Sequence, residues 1–124
     1  MAAPVGRWRI IVNGFRGDLN INCGSDGRIY GTTRFDKADI DPINGTWDEA
    51  GQKIVFLRNV TAAGGSAQNY TGFLFEVDAP LFKEGTYGPS QKPKFRMLVG
   101  SFDAYGTGGN ETRPLYGWVA QQQI

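Results

Sequence analysis

Apolar and polar residues alternate along most of this chain, and the places where the alternation slips are as informative as the runs themselves. Trp8, Ile10 and Val12 fall on one face of an extended segment, whereas Phe15, Leu19 and Ile21 have the opposite parity. The slip sits at Asn13 and Gly14, and the pattern predicts one long strand from Trp8 to about Ile21, interrupted there by a β-bulge or a glycine kink. A Gly-Ser-Asp-Gly turn follows, in which Gly27 supplies the positive φ that a tight hairpin needs. Ile29, Gly31, Thr33 and Phe35 then share a face, opposite Tyr30, Thr32 and Arg34.

The same alternation marks the rest of the chain. Residues 36–42 carry four charges within six positions, Asp36, Lys37, Asp39 and Asp41, and read as a polar loop ending at Pro42. A short strand over Ile43, Gly45 and Trp47 leads into a hairpin around Gly51. Lys53 to Val60 is almost continuously apolar and β-branched, which suggests a strand covered on both faces or nearly so. Strands are also predicted at 69–77, 95–105 and 115–121. Residues 78–94 carry three of the six prolines and form a long irregular segment, a candidate lid.

No segment sustains a period of three to four residues over ten positions, so little helix is expected. Seven or eight short antiparallel strands in one domain spanning residues 1–124 predict an all-β fold, either an up-and-down barrel or a β-sandwich. The barrel is preferred because the links are mostly hairpin-like. Gly14, Gly31, Gly45, Gly72, Gly100 and Gly117 also fall within predicted strands, where they would let a sheet coil tightly.

Composition narrows the function classes. The net charge is +1 with acids and bases intermixed, which gives no stripe for phosphates, so nucleic acid is not an expected partner. There is no histidine, which removes Ser-His and Cys-His pairs and the usual general base. A non-enzyme is expected. The single cysteine, Cys23, cannot form an internal disulfide, and no Cys/His cluster is present for zinc. Asp36, Asp39 and Asp41 lack the bidentate Glu of a calcium loop and are taken as solvated; no metal and no cofactor is expected. No apolar run is long enough to span a membrane, and the N-terminus lacks the features of a signal peptide. The chain reads as cytoplasmic as given, or secreted if a signal was removed.

Asn13 to Thr33 resembles the first hairpin of the avidin and streptavidin barrels: an Asn, then Gly24, Asp26 and Gly27 in the turn, then Gly31-Thr32, at similar spacing without gaps. The stretch from Ser66 to Gly72 resembles the family's Ser-Ala-Thr-Thr-Trp-Ser-Gly strand. Leu98-Val99-Gly100 with Asp103 resembles a later strand, with the spacing shifted by one, and Gly6-Arg7-Trp8 is the Gly-x-Trp opening of the wider calycin group. The resemblance implies an avidin- or lipocalin-like barrel and places Asn13, Ser66 and Asp103 at biotin-contacting positions. Gly17 and Thr33 stand where the family has Ser and Tyr, Phe35 where it has another Ser, and Gln68 where it has Thr. Two lost donors and a filled cavity imply that biotin binds weakly or not at all.

The candidate ligand residues are therefore Asn13, Thr33, Phe35, Ser66, Gln68, Tyr70 and Asp103. The functional expectation is a non-catalytic small-molecule-binding barrel, with a carbohydrate-binding or protein-interaction module as the alternative. An open, polar-lined interior favours the first, and an interior filled by Phe15, Phe56, Phe73 and Phe75 the second. A homo-oligomer is expected if outward aromatics form a patch. Asn44, Asn59, Asn69 and Asn110 head Asn-x-Thr sequons, and Arg16-Gly17-Asp18 forms an integrin-type tripeptide; both are attributed to turn and strand chemistry.

Overall fold

A computed structural model describes residues 1–35, 39–61, 67–78, 94–105 and 115–123. Eight strands run in chain order: β1 (Gly6–Val12), β2 (Phe15–Cys23), β3 (Arg28–Phe35), β4 (Asp41–Asp48), β5 (Lys53–Asn59), β6 (Ala67–Val77), β7 (Phe95–Tyr105) and β8 (Leu115–Gln122). Each pairs antiparallel with its sequence neighbours, and β8 pairs back onto β1, closing an up-and-down barrel. The described residues contain no helix.

The parity slip at Asn13 and Gly14 is a turn, not a bulge. Both residues have positive φ, 47° and 84°, and Val12 lies opposite Phe15, so a two-residue hairpin loop splits the expected single strand into β1 and β2. Asn-Gly favours this geometry because Asn tolerates the left-handed region and Gly has no Cβ to clash there. The eighth strand comes from this turn. Gly14 accordingly lies outside the strands.

Two further expectations are corrected. β5 is covered on one face only: Ile54 and Phe56 are buried while Val55 between them is exposed, since the second face of a barrel strand looks to solvent. Asp41 and Pro42 belong to β4 rather than to a loop, and Asp41 is buried at 3% exposure. Its inward parity with Ile43 and Trp47 puts it inside, where partners described below satisfy it.

The middle of the barrel is filled. Phe56, Tyr70, Phe102 and Tyr116 occupy directly paired positions on β5 to β8 and stack side by side. Their successive ring centroids are 4.8, 4.8 and 5.2 Å apart. Trp118 stands edge-on to Phe56 and Tyr70, and its indole N–H donates to the carbonyls of Thr71 and Ser101. Gly72 is the space that makes this possible, because a Cβ there would lie 2.5 Å from the Trp118 ring. Of the four phenylalanines proposed to fill the interior, only Phe56 does. Phe73 and Phe75 point outward, 43% and 50% exposed, and Phe15 sits at a rim, 60% exposed.

Candidate functional site: the open mouth of the barrel

The two ends of the barrel are distinct. One end carries the β2–β3 and β4–β5 turns and the N-terminal segment, which folds across it. Pro4 is fully buried there, its carbonyl accepts the Trp8 indole N–H at 3.1 Å, and Arg96 and Gln52 donate to the carbonyls of Ala2, Ala3 and Met1. The other end carries the Asn13-Gly14 turn and holds a cavity of about 310 Å³.

Val12, Asn13, Phe15 and Phe35 line this cavity on one side, and Arg58, Gln68, Phe102 and Tyr116 on the other. The polar floor is built by strand pairing. Arg58 on β5 and Gln68 on β6 are direct cross-strand partners, and both share the inward parity of Phe56 and Tyr70. The guanidinium reaches to β4, where its Nε and Nη2 donate to Asp41 Oδ2 at 2.9 and 2.7 Å. The other oxygen of Asp41 accepts the Thr61 backbone N–H and hydroxyl, each at 2.9 Å.

Arg58 Nη1 donates to Gln68 Oε1 at 2.9 Å, and the Tyr70 hydroxyl donates to the same oxygen at 2.7 Å. The chain Asp41–Arg58–Gln68–Tyr70 is thus continuous, and it satisfies a charge that would otherwise be costly inside a barrel. Burial pushes the Asp41 carboxyl up, but the hydrogen bonds from Thr61 and Arg58 and the guanidinium charge outweigh it and hold the group below its ordinary value. Burial raises the Tyr70 phenol, with the neighbouring Arg58 acting against it.

Phe35 closes part of the mouth. Its ring lies over Gly17, where a Cβ would come within 2.6 Å of it, and the Arg58 guanidinium sits 4.7 Å above its centroid. The space at position 17 is closed twice over: a Cβ would lie 2.4 Å from the Arg34 backbone carbonyl oxygen as well as against the Phe35 ring.

Of the sequence-predicted site residues, Asn13, Phe35 and Gln68 line the cavity, and Tyr70 lies buried beneath it, bonded to Gln68. Thr33 is buried on the inner face, but its hydroxyl donates to the Asp18 carbonyl at 3.0 Å. Asp103 follows inward-facing Phe102 on β7, so its parity turns it to the outer face, opposite Asn69 and Leu115. Ser66 lies outside the described residues, as do 79–93 of the candidate lid. The strand ends that this segment joins, Val77 and Phe95, belong to the end of the barrel away from the cavity.

Arg58, Asp41 and Phe102 were not anticipated at the site. A usable signal existed: Ile54, Phe56 and Arg58 share one parity, and so do Asp41, Ile43 and Trp47. A charge on the core face of a strand is an exception that calls for a partner, and two opposite charges of this kind pair with each other.

Searches against protein-family models, curated proteins and solved structures each give no significant match. The site has to be interpreted from its own chemistry.

Proposed function

We propose that this protein is a non-catalytic small-molecule-binding barrel whose ligand enters the mouth between Phe35 and the Phe102–Tyr116 pair. The observation that carries this reading is the cavity of about 310 Å³ above the Arg58–Gln68 floor, apolar walls with a few convergent polar groups being the usual make-up of such sites. An eight-stranded barrel has an interior just large enough to be filled by side chains or to hold one small ligand, and here the filling stops at Gln68 and Phe102. Lipocalins and streptavidin are other up-and-down barrels, and the Asn13 to Thr33 segment, which resembles the first avidin hairpin in spacing, forms the second hairpin here, β2 and β3. Biotin is not the ligand we favour: Thr33 spends its hydroxyl on a backbone carbonyl, and Phe35 covers Gly17.

A thermal-shift screen against sugars, fused heterocycles, haem and fatty acids tests the reading. A ligand at a hundred times its dissociation constant stabilises by about 2.7 kcal/mol. Stabilisation that is lost when Tyr116→Ala removes one wall supports it; no stabilisation by any class counts against it. The second reading, a protein-interaction module, draws on the outer face, where Phe73 and Val99 are exposed cross-strand neighbours with Phe75 nearby. Self-association through this face would appear as a concentration-dependent mass in a sizing experiment.

A further inference from the structure

The mouth carries more information than its size. Arg58 is the only charged group among the described residues that line it, and its guanidinium is already offset by Asp41 at 2.7 Å. The pair is formally neutral, so a ligand carboxylate placed against Arg58 would also face the Asp41 carboxylate behind it. Among the described residues, Arg58 spends three of its five N–H bonds, on Asp41 and Gln68, which leaves two donors at the floor without a described partner. The orientation of the Gln68 carboxamide is fixed because Arg58 can only donate: Oε1 must face it and Tyr70, and the NH₂ group, turned away from both, is the end of this cavity-lining side chain that can donate to a ligand.

The walls add shape. The aromatic row is nearly parallel from Phe56 to Tyr70 and from Tyr70 to Phe102, with interplanar angles of 8° and 13°, and it opens to 30° at the last step, between Phe102 and Tyr116. Phe35 on β3 faces that step from the opposite side of the barrel, four strands from β7. The cavity lies between Phe35 and this step, with aromatic groups on two sides, a slot that suits a flat ring. The volume, near the low end for small-molecule sites, limits it to one or two rings.

Building on the reading of this mouth as a ligand site, we propose that the ligand is an uncharged planar heterocycle with a ring carbonyl, a lactam-type group, whose oxygen accepts from Arg58 and Gln68 while its ring lies between Phe35 and the Phe102–Tyr116 pair. The carbonyl takes these donors, and the absence of charge avoids Asp41. Asn13 at the rim, with both a donor and an acceptor, suits the adjacent ring N–H.

Three probes of similar size separate the contributions: 2-quinolone, a neutral bicyclic lactam; naphthalene, two fused rings with no polar group; and 2-naphthoate, the naphthalene ring with a carboxylate. Dissociation constants and backbone NMR shifts are measured for each with the 124-residue chain. The expected result is that 2-quinolone binds at least tenfold tighter than either of the others and shifts the amides of Gln68, Phe102 and Tyr116. Gln68→Glu keeps an acceptor for Arg58 and Tyr70 but loses the NH₂ donor, so it should bring 2-quinolone to the level of naphthalene, with the fold checked by the unchanged amide spectrum of β1 to β3. Tighter or equal binding of 2-naphthoate or naphthalene at the same amides overturns the lactam assignment while the mouth stands as a ligand site. Unchanged 2-quinolone affinity in Gln68→Glu also overturns the assignment. No shift at the mouth with any of the three overturns both.

Discussion

At one end of this barrel Arg96 lies 5.9 Å from the centre of the Trp8 ring and donates to the backbone carbonyls of Ala2 and Ala3; at the other, Arg58 lies 4.7 Å from the centre of the Phe35 ring and donates to a carboxylate. The two arginines sit on similar aromatic supports but do different things. Arg96 holds the N-terminal segment down over the end, with Pro4 buried beneath, Gln52 on the Met1 carbonyl and Gln122 on the Val5 carbonyl. Arg58 anchors a polar floor beside the cavity, bonded there to Asp41 and Gln68. Among the described residues, the N-terminal segment packs over one end, while the other end borders a cavity.

If the closed end is held by packing, Trp8→Ala should produce the largest loss. Truncating a fully buried Trp typically costs about 3 to 5 kcal/mol, and here the indole N–H to Pro4 goes as well. Denaturant unfolding measures it. A loss under about 1 kcal/mol would mean that the plug does not depend on Trp8.

The open end should respond to charge instead. Arg58→Met leaves the Asp41 carboxylate buried without its cation, and Asp41→Leu leaves the guanidinium without its anion. Breaking a fully buried pair costs about 3 to 5 kcal/mol, and Arg58, at 13% exposure, is within reach of water, so about 2 to 4 kcal/mol is expected for each single change. The double variant should recover most of it, since two apolar side chains need no partner. A double-mutant cycle reads the coupling directly, and additive losses would show that the two groups do not act as a pair.

A smaller effect is expected from deleting residues 1–4. The deletion removes the carbonyls that Arg96, Gln52 and the Trp8 indole use, while water can reach the exposed ones. The unpaired indole N–H and the lost burial of Pro4 together suggest about 1 to 3 kcal/mol. If the plug and the mouth are independent, 2-quinolone affinity should not change in this variant, whereas a parallel loss would couple the two ends.

The contrast between the ends was only half visible in the sequence. Alternation reported the strands well because each has one wet face: Ile29, Thr33 and Phe35 of β3 lie inward as their spacing predicts. It failed at Asn13-Gly14, where a slip of parity has the same signature whether the chain bulges or reverses, and the Asn-Gly pair was the clue that decided it. Asp41 was misjudged because four charges in six residues look like a solvated loop, although the last of them shares its parity with Ile43 and Trp47. Asn13, Phe35 and Gln68, singled out as candidates in the sequence, line the cavity, Phe35 and Gln68 from inward positions of their strands and Asn13 from the turn between β1 and β2. Arg58 was hidden in an apolar run, and its role depends on β4 and β6, which no local pattern brings together. The N-terminal plug had no signal at all, since its bonds are mostly backbone carbonyls taken by distant side chains.

The finest test of the comparison is the pH dependence of the open end. The Asp41 carboxyl is held below its ordinary value of 3.8: burial acts to raise it, but the hydrogen bonds from Thr61 and Arg58 and the guanidinium charge act more strongly the other way. A group whose folded value is depressed binds its proton more readily in the unfolded chain. Its contribution is therefore complete above about 3.8 and is lost as pH falls through the folded value. Other carboxylates titrate in the same window, so the absolute curve does not isolate it. The difference between the native protein and Asp41→Asn does, because Asn has no carboxyl to titrate: it keeps an oxygen acceptor for Thr61 but turns an NH₂ group toward Arg58, so a constant cost from the lost Arg58 bonds is added to the pH-dependent part. That difference should be flat from pH 7 to about 5 and should shrink steadily as the pH is lowered further. Urea unfolding at each pH gives the two curves. A difference that stays constant down to pH 2 would mean that the floor is held by the shape of the Asp41 side chain rather than by its charge, and the electrostatic neutrality inferred for the mouth would lose its basis.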